Sequence, residues 1–377
     1  MVALGGGKRL PRDGEYTGVA EWGPAGPPVT VRTARSKEAI VPRITIKEIA
    51  RRAGVSKGAV SYALNNQPGV SEATRARVLK VAEELEWVPN RAARQLSAAR
   101  SETFGLVLAR TAKTLSEEPF YMGFVGGVES VLSDRSYALA LQVVPDLADE
   151  MATYRKWAAE RRVDGVLVVD LRVDDPRIPL LRKLELPAVL VGDPALADGM
   201  ACVWTDGTTA MYAAVEHVAS LGHRAIARVA GPPEHGHVWI RDQAFAAVSR
   251  RLGLDARVVH TDFSGEEGAA ATRELMASEE RPTAIIYDND LMAVAGLSVV
   301  NGLGLHSPDD VTLVAWDDST LCRLTHPTLT AMSHNIVAYG AEVAHRLFDL
   351  LEGAMPQSHL YSTPALVVRG SSGPPPA

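Results

Sequence analysis

The sequence predicts an α/β chain, with a small three-helix, helix-turn-helix head ahead of a two-lobed body of parallel sheets flanked by helices. Three observations carry this reading. Residues 43–100 space their apolar side chains as short helices do, with breaks between them. Residues 103–370 switch to short β-branched runs that alternate with helix-length segments. Positive charge is concentrated in the first region: residues 41–102 carry a net +5 and residues 103–377 a net −13, a split concealed by an overall −6.

Residues 1–42 are rich in Gly and Pro without sustained periodicity, and read as a disordered leader. The Gly-Gly-Gly-Lys run at 5–8 lacks the preceding strand and the spacing of a phosphate-binding loop. The head spans 43–88. Thr45 and Glu48 have the spacing of a capping box, and Ile46, Ile49, Ala50 and Ala53 form one apolar stripe behind it. Gly54-Val55 ends this first helix and Ser56 caps the second. The third starts at Ser71, buries Val78, Ala82 and Leu85, and must stop before Pro89. Two short helices around a tight turn, in a basic setting, suit the DNA major groove and its phosphates.

In the body, apolar runs at 104–110, 137–144, 165–170 and 187–192 are followed by a second series at 226–231, 256–262, 283–289 and 311–318. Helices are expected near 121–134, 149–162, 207–221, 239–252, 266–278 and 290–302. Ligands of such folds lie beyond the carboxyl ends of strands, so the loops after 110, 170, 192, 231, 262, 289 and 316 should face a cleft. Late elements at 329–334, 336–352 and 365–370 return to complete both lobes, with hinge crossings near 203–206 and 328–335. The expected division is lobe 1 at 103–204 plus 331–355, lobe 2 at 205–328 plus 356–370, and a tail at 371–377.

Several classes are disfavoured. Cys202 and Cys322 stand far apart with no CxxC, against a disulfide framework or zinc site. No apolar run reaches membrane-spanning length, so a cytoplasmic protein is expected. No metal-ligand or nucleophile motif appears, and no cofactor is expected. His235 and His237 read as an incidental pair. The alternatives are a solute-binding protein, which would want a secretion signal and no basic head, and an α/β enzyme, for which Asp288-Asn289-Asp290 offers the one carboxylate cluster.

The chain resembles LacI-family (lactose-repressor type) transcriptional regulators over essentially all of residues 43–370. In the head the resemblance is carried by Thr-Ile-Lys-Glu-Ile-Ala at 45–50, Ala-Gly-Val-Ser at 53–56, Val-Ser-Glu-Ala-Thr-Arg at 70–75 and Trp-Val-Pro-Asn-Arg-Ala-Ala-Arg-Gln-Leu at 87–96. In the body it rests on Leu-Gly-His-Arg at 221–224, Arg241 with Phe245, Asn289-Asp290, Asp317-Asp318 and Leu329-Thr330. It implies a body like that of periplasmic solute-binding proteins, and a homodimeric repressor of double-stranded operator DNA controlled by a small-molecule effector of the sugar class.

The resemblance assigns base-edge contacts to Lys57 and Gly58 with Tyr62 one turn later, and places Thr45, Ser56, Ser61 and Asn65 against the backbone. The family often carries Thr at 59 and Arg at 62. Ala59 removes a hydroxyl here, and Tyr62 replaces a bidentate guanine reader with a phenol. Residues 89–102 are implied to be a hinge helix that folds on DNA, with Asn90, Arg91, Ala93 and Arg94 at the DNA and Leu96 wedged into the minor groove. Glu86 stands where the family commonly ends the third helix with Gly. For the effector, the resemblance points to Phe120 and Tyr121 as a stacking platform and to Arg241, Asn289 and Asp317 as hydroxyl partners. His237, Trp204 and Trp239 are also within reach of the cleft, with core packing the better reading of Trp204.

Overall fold

The computed structural model describes residues 44–87 and 100–376, which fall in two compact units. The leader and the hinge residues Asn90, Arg91, Ala93, Arg94 and Leu96 lie outside the described residues.

The head consists of α1 (Ile46–Ala53), α2 (Lys57–Leu64) and α3 (Glu72–Glu84) around a core of Ile49, Ala50, Ala53, Val60, Ala63, Val78, Ala82 and Leu85. Gly54 ends α1 with φ +63°, a left-handed conformation that Gly adopts at little cost. The Ala59 N–H donates to Ser56 Oγ (3.1 Å) and the Thr74 N–H to Ser71 Oγ (3.3 Å), so both later helices are capped by the expected residues. The Thr45–Glu48 capping box does not form. Thr45 makes no side-chain cap bond, and the Glu48 carboxylate is taken by Arg51 (3.0 Å) and Arg52 (3.3 Å). Two charged partners on the same helix face outcompete one neutral backbone donor. Arg75 of α3 donates to the carbonyls of Ala63 (3.1 Å) and Gln67 (2.8 Å), satisfying the orphan end of α2.

The first lobe contains β1 (Thr103–Ala109), α4 (Ala112–Glu117), α5 (Pro119–Asp134), β2 (Ala138–Val144), α6 (Leu147–Glu160), β3 (Gly165–Val168), α7 (Arg177–Lys183), β4 (Ala188–Val191) and β5 (Cys202–Thr205). The second runs α8 (Gly207–Ser220), β6 (Ala225–Ala230), α9 (Gly236–Leu252), β7 (Asp255–His260), α10 (Gly265–Ala277), β8 (Ala284–Tyr287), α11 (Asp290–Gly302), β9 (Thr312–Trp316), α12 (Thr320–Leu324) and β10 (Thr330–Ser333). The chain then adds α13 (Ile336–Leu351) and β11 (Ser358–Ser362) to the first lobe and β12 (Ala365–Val367) to the second. The sheets read β11-β5-β4-β3-β1-β2 and β12-β10-β9-β8-β6-β7, with all pairs parallel except β10–β12. Each sheet buries both faces, which is why its central strands are continuously apolar.

This topology corrects the expected lobe boundaries. Residues 331–333 stay in the second lobe, because Ala331 and Met332 continue the sheet beside Ala315 and Trp316. Residues 358–362 cross to the first, with Ser358 beside Cys202. The lobes are therefore joined by three crossings, near 206, 334–335 and 363–364. β11 escaped prediction because an edge strand with the sequence Ser-His-Leu-Tyr-Ser lacks a buried-strand pattern. Residues 371–373 are no free tail either. Buried Ser371 donates to the Leu313 carbonyl (2.6 Å), and the Gly373 N–H donates to Thr312 Oγ1 (3.1 Å).

Helices α5 and α13 cross at Gly127 and Gly340. A Cβ at Gly127 would lie 1.8 Å from the Val337 carbonyl oxygen, and one at Gly340 2.2 Å from that of Phe124. Gly127→Ala should cost roughly 2–4 kcal/mol, read as a lower urea midpoint for the body. Glu86, exposed and at φ +47°, carries the strain that the head's sequence foretold. Glu86→Gly should stabilise the head by about 0.5–1 kcal/mol in the same titration.

Candidate functional site

Two surfaces of the chain carry the candidate side chains. On the head, Thr45, Ser56, Lys57, Gly58, Tyr62 and Asn65 are all exposed, while Ser61 is half-buried and its Oγ accepts from the Asn65 side-chain amide (3.4 Å). Tyr62 is 46% exposed. Its ring edge rests over Gly69, where a Cβ would come within 3.2 Å of Cδ2, so the phenol is steered from the loop side and left open outward. Lys57, Gly58 and Tyr62 fall at i, i+1 and i+5 of the α2 region, a spacing that presents them over one and a half turns.

In the body, the carboxyl ends of both sheets line a cavity of about 120 Å3. Lobe 1 contributes Arg110, Glu118, Phe120, Tyr121 and Asp170, and lobe 2 contributes His237, Arg241, Phe263, Asp288 and Asp317. His334 stands on a crossing segment and also lines the cavity. Four of the five residues expected at an effector are therefore brought to one wall or the other. Asn289 is not among the lining residues. Its amide is spent on structure, accepting from the Met292 N–H (2.8 Å) to cap α11 and donating to the Phe263 carbonyl (3.0 Å). Trp204 packs in the lobe 1 core and Trp239 is 40% exposed, and neither lines the cavity.

Tyr121 is no free stacking platform. It is 2% exposed, and its hydroxyl donates to Asp170 Oδ2 (2.8 Å), the same oxygen that takes Arg110 Nε (3.1 Å). Burial works to raise the Asp170 pKa, but Arg110 and the nearby histidines overcome it and leave the carboxyl below its usual range. Phe120, partly exposed, is the aromatic surface that remains.

Arg241 lies over Trp316, its guanidinium carbon 3.9 Å from the ring centroid, and Nη1 is 3.7 Å from Asp288 Oδ1. Asp288 is held in turn by Arg228, through Nε (3.0 Å) and Nη2 (2.6 Å), and by the Gly231 N–H (3.1 Å). Burial opposes its charge, yet Arg228 and Arg241 keep its pKa low. Asp317, at φ +60°, accepts from His334 Nε2 at 3.2 Å. His237 stacks on Phe263 (5.8 Å, 18°) and is driven down to about 3 by burial and by Arg241, so it sits there neutral. Glu118 is pushed up to about 8 by burial, against the pull of Arg110.

Within this wall three polar atoms are buried without a hydrogen-bond partner among the described residues: Glu118 Oε2, Arg241 Nε and His334 Nδ1. Buried polar groups ordinarily find partners, so these three mark where a polar ligand would be received. Sequence reasoning missed Arg110, Glu118, Asp170 and His334, and singled out Asp288 only within a carboxylate cluster for an enzyme. Arg110, Asp170 and Asp288 had a usable signal, because each is the charged residue that closes an apolar strand run. Among the described residues, no cluster of three or more His, Cys, Asp or Glu could hold a metal ion, and no helix is long and apolar enough to cross a membrane.

Comparison with known proteins covers both regions of the chain. The model of bacterial regulatory proteins of the lacI family matches residues 45–90, and that of a periplasmic binding protein-like domain matches residues 215–372. The transcriptional regulator CelR of Thermobifida fusca is 34% identical over 316 residues, covering 82% of this chain and 93% of the relative. A LacI family regulator from Bifidobacterium animalis superposes with a TM-score of 0.67 at 36% identity, covering 73% of this chain and 99% of that one. The structure of a CelR–cellobiose complex gives a TM-score of 0.67 at 32% identity, covering 87% and 100%. Likeness at this level, spread over head and body alike, assigns the family: the chain is a LacI-family transcriptional regulator that binds DNA through its helix-turn-helix head.

Proposed function

We propose that the protein is a homodimeric repressor of the cytoplasm, released from or locked onto its operator by a neutral sugar held between the lobes. The observation that carries the reading is the cavity's polar equipment: an unpartnered Arg241 Nε on one wall, the Asp317 carboxylate beside it, and Phe120 as an apolar face opposite. A planar cation, an acceptor and a ring surface are what a polyhydroxylated ring asks for. The similar structure of a CelR–cellobiose complex supports the same class of ligand.

The three crossings between lobes supply a hinge, and the lobes already touch beyond the cavity. The Gly236 N–H donates to the Leu171 carbonyl at 2.7 Å, and Lys113 pairs with Glu266 at 3.0 Å. A ligand that favours one separation of the lobes shifts the population by its differential affinity for the two states. Dimerisation suits a two-fold operator, and exposed apolar side chains on adjoining elements of lobe 1 offer a surface for it: Met122 on α5, Leu141 and Val143 on β2, and Val337 on α13. A regulator needs no catalytic group, and Asp170, Asp288 and Asp317 of the cavity are engaged with Arg110, Arg241 and His334.

Two substitutions separate the parts of this reading. Arg241→Ala should weaken sugar binding by about 2 kcal/mol or more and abolish the ligand response, while operator affinity in a gel-shift titration is unchanged. A normal response in that variant would remove Arg241 from the site. Leu96→Ala should weaken operator binding by roughly 2–3 kcal/mol and leave calorimetric sugar binding intact. Unchanged operator affinity would dispose of the minor-groove wedge.

A further inference from the structure

Glu118 occupies the N-cap of α5, where a carboxylate ordinarily accepts backbone N–H groups of the first turn. Here it makes no cap bond, and Pro119 immediately after it offers no N–H at all. The side chain instead lines the cavity, with Oε2 sealed from solvent and unpartnered among the described residues. The groups that act on it come from separate elements: Arg110 at the end of β1, Asp170 after β3, Asp317 after β9 and the Asn289 amide before α11. Arg110 is already committed to Asp170 at 3.0 Å, so Glu118 has no cation of its own among the described residues.

Arg241 Nε on the lobe 2 wall is a free donor, but around Glu118 the donors of the lobe 1 wall are already engaged. Tyr121 gives its proton to Asp170, His334 Nε2 faces Asp317, and Arg110 is spent on Asp170, while Asp317 and Asp288 add acceptors. A sugar presents as many acceptor oxygens as hydroxyl donors and needs both kinds of partner. A carboxyl that keeps its proton supplies a donor where the wall lacks one. We infer that Glu118 is a specificity-determining residue of this regulator, its neutral carboxyl donating a hydrogen bond to an acceptor oxygen of an uncharged sugar. This rests on the sugar reading of the cavity. The carboxyl's upward displacement to about 8, caused first by burial, agrees with a protonated group at neutral pH. An acidic sugar or sugar phosphate would place a further negative charge beside Asp170 and Asp317 and is disfavoured.

The test uses the full chain, its Glu118→Gln and Glu118→Ala variants, and four probes: cellobiose, maltose, ribose and glucose 6-phosphate. Thermal melting finds which probe binds, and calorimetry follows that probe from about pH 7 to about pH 9.5. The wild-type affinity should fall about tenfold or more across that range, because the donor is lost as the carboxyl ionises above about pH 8. Glu118→Gln keeps an N–H donor that does not titrate, so its affinity should stay within about threefold of wild type at pH 7 and be flat with pH. Glu118→Ala should bind about tenfold more weakly at pH 7 while melting cooperatively. A ligand-free signature accompanies these. The unfolded chain ionises this carboxyl at its ordinary value and the folded chain does not, so folding loses stability between about pH 4.5 and about pH 8. The melting temperature of Glu118→Gln should therefore gain on wild type across that window. Wild-type affinity in Glu118→Ala, or an unaltered pH profile in Glu118→Gln, overturns the role of Glu118 and leaves the sugar reading standing. Binding of glucose 6-phosphate in preference to the neutral sugars, or no stabilisation of wild type by any neutral sugar, overturns the sugar reading and this inference with it.

Discussion

A guanidinium sealed from water organises each half of the ligand cavity. Arg228 in β6 is fully buried, and such a charge persists only where carboxylates surround it. Its partners are Asp288, at the end of β8, and Asp242 on α9. The pair fixes the carboxylate against which Arg241 leans, and Trp316 supports Arg241 from the other side. In the first lobe Arg177 plays the corresponding part. It is 2% exposed, pairs with Asp175 (2.6 Å) and Glu150 (2.8 Å), and donates to the carbonyls of Val169 (3.0 Å) and Asp170 (2.8 Å). Each lobe thus grips a strand end from behind, so that an acid stands toward the cleft in a defined position. Pre-organised partners of this kind spare a ligand the cost of ordering them.

Backbone conformation at the cleft follows from the same arrangement. Asp170, Phe263 and Asp317 all have φ between +51° and +72°, where side chains are disfavoured. All three line the cavity. Phe263 is held there by close packing, its ring filling the space over Gly231, where a Cβ would lie 2.0 Å away, and lying beneath Arg110 at 5.6 Å. Strain of this sort survives only where surrounding contacts over-determine the chain, and such sites cluster where ligands are handled. The unpartnered atoms of Glu118, Arg241 and His334 tell the same story in polar terms.

Much of this was legible residue by residue. The strand runs ending at Arg110, Asp170 and Asp288 were found by their apolar continuity, and their carboxyl ends were expected to face a cleft. Arg241, Phe120 and Asp317 reached the cavity as the family pattern implies. Asn289 did not, because a residue that starts a helix is drawn to the orphan N–H groups behind it. Tyr121 reached the wall but gave its hydroxyl to a carboxylate that is far away in sequence. Glu48 likewise preferred Arg51 to the capping box that its spacing advertised.

What the sequence determined by itself is whatever depends on local periodicity and charge: three helices in a basic head, alternating strands and helices in an acidic body, and the family that joins them. The tertiary structure alone decided which lobe owns β10 and β11, which carboxyl found a cation, and which stayed neutral without one. Sheet membership at an edge is set by partners more than a hundred residues away, such as Cys202 for Ser358. Protonation of Glu118 is set by the water it has lost and by Arg110, Asp170 and Asp317, which only folding brings together. Periodicity propagates along the chain, whereas desolvation and ion pairing act through space, and that difference divides what could be read from what had to be seen.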